Sequence, residues 1–339
     1  MKNSRVTLML LAIASTGMST MLVPMSGTSQ TPTVSADRPD VDRDLDPAIY
    51  ERWKAELSNW GRWGADDEIG TLNLITPAKR REAAALVTEG VSVSLAADAD
   101  TVRAVDNPNP WQHEMLGIAS DRLAVAYHGI THSHLDALAH INDNGVFYNG
   151  YQPDSEEVIA NGHPKQSIHN VRNGIFTRGV LIDIPRLKGL PWLEPGTPIY
   201  VEDLEAWEER AGVRVGPGDA LFVRTGVWAR RSVEGPWLRG RAPGGRSAGL
   251  HPSVIPWLKE RDIAVMGSDH PHYVSPSNLP GAVHDFALLY LGMSLFDNLD
   301  LEALAEAADE HDRWEFLLTA APLPIRGGTG SPINPLATF

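Results

Sequence analysis

Short apolar runs alternate with amphipathic stretches along most of the chain, and the period of each run predicts an element. Val91-Ser92-Val93-Ser94-Leu95 alternates with period two, the pattern of a half-buried strand. The compact apolar runs at 123–127, 179–184, 220–224 and 263–266 predict further strands. Helical patterns fall between or after them at 202–210, 252–260, 283–292 and 301–309, with Gly212 as a clear stop. Thr76 followed by Pro77 offers an N-cap and a first-turn proline to a helix through Ala83-Ala84-Ala85-Leu86, which Gly90 closes. Strands and helices interleaved in this way define an α/β class. No repeat and no long Pro/Gly/Ser tract after residue 47 marks a boundary, so one main domain is expected.

The N-terminus follows a different pattern. Lys2 and Arg5 precede the apolar run Val6 to Ala14, and Val34-Ser35-Ala36 resembles a small-residue cleavage site. Residues 1–36 are therefore expected to be a signal peptide with its cleavage region, leaving a secreted or periplasmic chain from about Asp37. The next segment, 37–59, is expected to be an N-terminal lead-in, its first part rich in Pro and Asp.

Composition narrows the chemistry. With 42% hydrophobic and 21% charged residues the chain can bury a sizeable core, which excludes disorder or coiled coil as a description of the whole. A net charge of −14 opposes a phosphate backbone or an anionic membrane surface. The expected partner is a small-molecule substrate, with no nucleic acid and, once the signal is cleaved, no membrane. Having no cysteine, the chain has no disulfide, thiolate metal site or Cys nucleophile, so any metal must be held by His and carboxylates.

Those residue types concentrate in Tyr127-His128-Gly129-Ile130-Thr131-His132-Ser133-His134-Leu135-Asp136-Ala137-Leu138-Ala139-His140, which holds four of the twelve histidines. On an extended strand His128, His132, His134 and Asp136 share one face. Imidazoles spaced i, i+2 can bind one cation from one side, and the Asp136 carboxylate can bridge to a second. A helix is the competing geometry, because His128, His132, Asp136 and His140 also recur at i+4. Gly129, Ile130 and Thr131 favour strand at the start, while Asp136 to His140 can already be turning.

His134-Leu135-Asp136-Ala137-Leu138-Ala139-His140 resembles the second half of the H-x-G-T-H-x-D-x-P-x-H signature of the cyclase family, which includes bacterial kynurenine formamidase, isatin hydrolase and polyketide-cyclase-like proteins. Trp63 to Leu74, Arg178 to Asp183, Gly218 to Gly226 and Gly267-Ser268-Asp269 resemble further segments of its longer members, in order. The resemblance implies a cyclase-like domain over 60–339, with a mixed, barrel-like β-sheet core flanked by helices. It further implies a homodimer or homotetramer, and hydrolysis of a cyclic or aryl-linked amide with Zn²⁺ or Mn²⁺ and no organic cofactor. His134, Asp136 and His140 match the signature. Its first histidine falls on Ile130, so His132 or His128 must supply the missing imidazole, and His132 is favoured because it is nearer to His134. The family's later ligands fall on His284 and on Asp297, where Glu is usual. His140 is either a ligand or the general acid/base, roles that exclude each other because a lone pair on a metal cannot take a proton.

Gly245-Arg246-Ser247-Ala248-Gly249 satisfies G-x-S-x-G but lacks the preceding strand and following helix of a nucleophile elbow, so a serine hydrolase is set aside. Trp60, Trp63 and Trp111 are candidates for an aromatic wall around a flat substrate, and His270 and His272 for pocket-lining residues after a strand end. The expected function is a metal-dependent hydrolase of an amide, lactam or ester bond in a small cyclic or aromatic substrate. The alternatives are a polyketide-type cyclase or dehydratase, in which the ion stabilises an enolate, and a non-enzymatic exported metal-binding protein.

Overall fold

The computed structural model describes residues 44–339, which pack as one compact unit. The expected signal peptide and cleavage site lie outside the described residues. The lead-in to residue 59 contains a helix, Pro47–Glu56, started by Asp46, whose carboxylate accepts from Ala48 N, and by Pro47 at the first position. Tyr50 from this helix packs edge-on against Phe286, which ties the segment to the core.

The centre is a mixed nine-stranded sheet curled into a half-barrel. Its spatial order is Ser92–Ser94, Leu336–Thr338, Glu315–Ala320, Ile175–Asp183, Ala220–Arg224, Val265–Ser268, Ser294–Asp297, His134–Asp136 and Gly330–Pro332. The four strands Ile175–Asp183, Ala220–Arg224, Val265–Ser268 and Ser294–Asp297 run parallel, and the strands on either side of this block are antiparallel. Every residue of Ala220–Arg224, Val265–Ser268 and Ser294–Asp297 is buried, as the continuous apolar runs of a covered parallel sheet require. Helices supply the cover. Val201–Ala211 is amphipathic, ends on left-handed Gly212, and is pinned to the sheet by Trp207 Nε1 donating to Leu181 O at 2.8 Å. No described helix is long and apolar enough to cross a membrane.

Most predicted elements recur with shifted ends. The helix after Thr76 is Pro77–Ala84, with Lys79 N donating to the threonine hydroxyl at 3.1 Å, and it closes before Gly90. The helical pattern at 283–292 resolves into Ala282–Phe286 followed by a π-helical turn, Ala287–Leu291. The run at 123–127 is only partly a strand. Its first two residues end the strand Ser120–Ala124, which pairs with Gln112–Gly117 as a hairpin outside the main sheet, where the partner strand is wholly exposed. The run 128–136 is a strand only at His134–Asp136, because residues 128–131 form a turn in which Gly129 has φ +131°.

The crossovers place polar side chains at the C-terminal ends of the parallel strands, where functional residues gather in open α/β sheets. Asp269 there is structural. It accepts from the N–H groups of Thr225, Gly226 and Val227 at 2.9, 2.7 and 3.2 Å, capping the helix Val227–Glu234 from a neighbouring strand. Asp183 and Glu302 both pair with Arg224, at 2.9 and 2.5 Å, so this buried cation is balanced within the fold.

One close backbone approach fixes the N-terminal arm to the sheet. Gly70 has φ +54°, a Cβ there would overlap the carbonyl of Gly292, and Thr71 N donates to that carbonyl at 2.9 Å. Gly70→Ala is therefore expected to destabilise the protein by about 3 kcal/mol, read as a lower denaturant midpoint at unchanged slope.

Candidate metal centre

The site forms where the parallel block meets its antiparallel neighbour. His134 and Asp136 lie two apart on one strand and so share a face, while Leu135 between them is buried in the core. In the sheet register Asp297 stands opposite His134, and Leu295 opposite Asp136. The short Asp297 arm reaches the cluster because its own strand lies directly alongside. His284 enters from the helix Ala282–Phe286, and His140 from the turn Leu138–His140.

These side chains converge on Asp136, which is completely buried. Its Oδ1 lies 3.0 Å from His128 Nδ1 and 3.3 Å from His134 Nε2, and its Oδ2 lies 3.2 Å from His284 Nε2 and 3.7 Å from His140 Nε2. His284 Nε2 is also 3.5 Å from Asp297 Oδ2. The outer ring nitrogens are held from behind. His134 Nδ1 donates to the His132 carbonyl at 2.7 Å, His128 Nε2 meets the Thr329 hydroxyl at 2.8 Å, and His284 Nδ1 meets Asp285 at 3.1 Å. Such outer partners fix which nitrogen faces inward. His128 and His140 stack at 3.9 Å with their planes 8° apart.

Two sets of donors each lie within 4.8 Å of one another: His128, Asp136 and His140, and His134, Asp136 and Asp297. They share Asp136, the arrangement a carboxylate bridging two cations requires. Among the described residues, His128 Nδ1, Asp136 Oδ1 and Asp297 Oδ1 are buried without a hydrogen-bond partner, so the 3.0 Å approach of the first two is not a hydrogen bond. Unpartnered nitrogen and oxygen acceptors gathered this closely fit a divalent ion bound by nitrogen and oxygen.

Charge favours the same reading. Burial pushes the Asp136 carboxyl upward, but the His140 and His134 imidazoles hold it well below the usual carboxylate range. Burial likewise opposes ionisation of Asp297, and His272 and His284 outweigh it. Burial lowers His140 to about 4 even though Asp136 pulls the other way, which leaves its ring neutral near pH 7, as a ligand or a base requires. Against burial, Asp136, Asp285 and Asp297 raise His284 well above its ordinary value.

Of the predicted donors, His134, Asp136, His140, His284 and Asp297 come together. His132 does not join them. Its Nε2 lies 2.8 Å from the Asn109 carbonyl and its ring meets Trp111 edge-on at 6.0 Å, because alternation begins only at His134. His128, carried in by the turn, occupies the place expected of His132.

A cavity of about 350 Å³ opens onto the donors, with Tyr127, Ile130, Pro271 and Tyr273 among its walls. None of the five residues expected to bind substrate lines it. Trp60 donates to Leu289 O at 2.7 Å and stacks on Tyr290 at 5.7 Å, while Trp63 lies under Arg62 at 4.7 Å. Trp111 stands behind His132. His272 is buried, with its Nε2 3.0 Å from Asp297 Oδ1 and 3.1 Å from Phe296 O, and His270 is buried with neither ring nitrogen hydrogen-bonded among the described residues. Sequence reasoning missed Tyr127 and Tyr273 as wall residues, although Tyr127 directly precedes His128 and Tyr273 directly follows His272.

A half-barrel sheet with a histidine-carboxylate centre at its strand ends defines a cyclase-like protein. The family model described as Putative cyclase matches residues 60–273, and the chain belongs to that family. The crystal structure of a novel cyclase is similar at 31% identity, covering 84% of this chain and 99% of that one, with a TM-score of 0.72. Isatin hydrolase A from Labrenzia aggregata, bound to benzyl benzoate, shares the fold at 21% identity, 73% and 93% coverage and a TM-score of 0.53. Isatin hydrolase A from Ralstonia solanacearum does so at 21% identity, 73% and 91% coverage and a TM-score of 0.52. No curated protein matches the sequence.

Single alanine substitutions of His128, His134, Asp136 and Asp297 are expected to lower the metal bound per chain, measured by elemental analysis of untagged protein, while His132→Ala keeps it. His140→Ala is expected to lose metal as well. If it kept full metal while turnover fell by about 10²-fold or more, His140 would be the acid/base instead.

Proposed function

We propose that this protein is a metal-dependent hydrolase of an amide, lactam or ester bond in a small cyclic or aromatic substrate, using Zn²⁺ or Mn²⁺. The observation that carries this reading is the pair of donor sets sharing Asp136, whose other members His128, His134, His140 and Asp297 line a cavity with apolar and aromatic walls. When bound there, a divalent ion supplies a Lewis acid for a carbonyl and a water of lowered pKa. Asp136, His128, His140, His134 and Asp297 would hold it. Imidazole and carboxylate donors suit Zn²⁺ and Mn²⁺ alike.

The chain's own contribution is placement. Thr329, the His132 carbonyl and Asp285 keep three imidazoles turned inward, so the donors are set before a ligand arrives. Tyr127, Ile130 and Tyr273 offer flat, largely apolar contacts that suit a ring and displace water from it. Isatin, the substrate named for hydrolases of this fold, is a cyclic aryl amide, which supports a ring-opening reaction on a molecule of that shape.

Incubation of metal-loaded protein with lactams, N-formyl arylamines and lactones is the test. The expected outcome is ring opening or deformylation that a chelator abolishes and added Zn²⁺ or Mn²⁺ restores. Tight metal binding with no turnover on any of the three classes would favour a metal-binding protein. Conversion without uptake of water would favour a cyclase or dehydratase.

A further inference from the structure

The cavity wall contains a cation that the fold leaves unspent. Arg239 lines the cavity, is 1% exposed, and has no hydrogen-bond partner on Nε, Nη1 or Nη2 among the described residues. Its guanidinium carbon lies 5.6 Å from the Trp228 ring and 5.5 Å from the Trp237 ring. Indole faces attract the positive charge, but they leave the N–H groups without acceptors. Asp106 Oδ2 is 3.7 Å from Nη2, beyond hydrogen-bonding distance, and that oxygen already accepts from Arg231 Nε at 2.8 Å. The second Asp106 oxygen accepts from Arg231 Nη2 at 3.2 Å, so the carboxylate is spent on Arg231.

Arg241 in the same wall provides the contrast. It is paired with Asp285 and lies 5.3 Å from the Tyr273 ring, so its charge is already answered. Burial draws Arg239 down to about 10, which leaves it a cation at neutral pH. Buried donors are almost always satisfied, and an unsatisfied guanidinium in the wall of a binding cavity points to an acceptor that arrives with the ligand. A planar fork of donors matches a carboxylate with two bonds at once.

We propose that Arg239 recognises a carboxylate on the substrate, and hence that the molecule acted upon is an amide, lactam or ester that also carries an acid group. The inference rests on the reading of this cavity as the substrate site. It places the acid group at the Arg239 wall and the scissile carbonyl at the donors on the floor. It also gives the cavity a means of selection, because neutral analogues leave the guanidinium unsatisfied.

The test compares 4-carbamoylbenzoate with terephthalamide, which share a ring and one amide and differ in the para group, a carboxylate in the first and a neutral second amide in the other. Calorimetric binding to the full chain as purified is expected to favour the acid by about tenfold or more. In Arg239→Gln the two affinities are expected to converge to within about twofold, and Arg239→Lys, which keeps the charge but loses the fork, is expected to be intermediate. Equal affinities in the unsubstituted protein, no binding of either compound, or a preference that survives Arg239→Gln would overturn the proposal, the last by placing the carboxylate on the metal. Should Arg239→Gln fail to fold by circular dichroism, Arg239→Lys decides: an unchanged preference overturns the proposal and a reduction of about threefold or more supports it. Failure of hydrolysis across the three substrate classes with this preference intact would sink the hydrolase reading alone. Hydrolysis without the preference would sink only the role of Arg239.

Discussion

The structure around the site depends on the burial of one carboxylate. Asp136 sits within a sheet strand with no exposed surface, faced by four imidazoles. Removing an ionised carboxylate from water costs several kcal/mol even after relaxation, so the charge persists only if the surroundings compensate it. The imidazoles around it supply part of that compensation, chiefly His284 Nε2 donating to Oδ2 at 3.2 Å, and a bound cation would supply the rest. The same demand explains the second carboxylate. Asp297 is almost fully buried and faces His272 and His284, so each acid has positively polarised partners on more than one side. Two buried acids so close together are tolerable when a cation can sit between them.

Sheet topology makes the clustering possible. The parallel block places Asp297 at a strand end, and the antiparallel pairing that follows sets His134 against it in register. A parallel neighbour would have brought the other end of the strand to this position. The C-terminal strand Gly330–Pro332 then pairs with His134–Asp136 from the other side, and Thr329 just before it meets His128. The donors therefore come from three separate stretches of chain, 128–140, the helix bearing His284 and the strand bearing Asp297, and their mutual geometry is a property of the folded sheet.

Much of this was legible in the sequence, for reasons that also mark where reading stopped. Ala220–Arg224 occurs at its predicted bounds because the apolar residues Ala220 to Val223, in a segment bracketed by Gly218 and Gly226, form a run too short for a helix and suited to a covered strand. His134 and Asp136 follow from strand parity, and resemblance supplied His140, His284 and Asp297. Parity fails upstream because Gly129, at φ +131°, turns the chain before His134, so the imidazole facing Asp136 belongs to His128 and not to His132. Hydrophobic alternation carries no sign of such a turn. The tryptophans were misplaced for a related reason: composition reports their number, whereas Trp60 and Trp63 are engaged by Leu289, Tyr290 and Arg62 away from the cavity. Arg239 lies outside any periodic element, and only the folded loop shows its guanidinium without hydrogen-bonding partners.

The account turns on Asp136 as the shared ligand of a divalent centre, and anomalous diffraction from crystals of the metal-loaded protein tests it most directly. Data collected across the Zn and Mn edges should show anomalous density within bonding distance of Asp136, with His128 and His134 on either side of that carboxylate. Density centred on His132, or a fully loaded protein with no anomalous signal at Asp136, would contradict it.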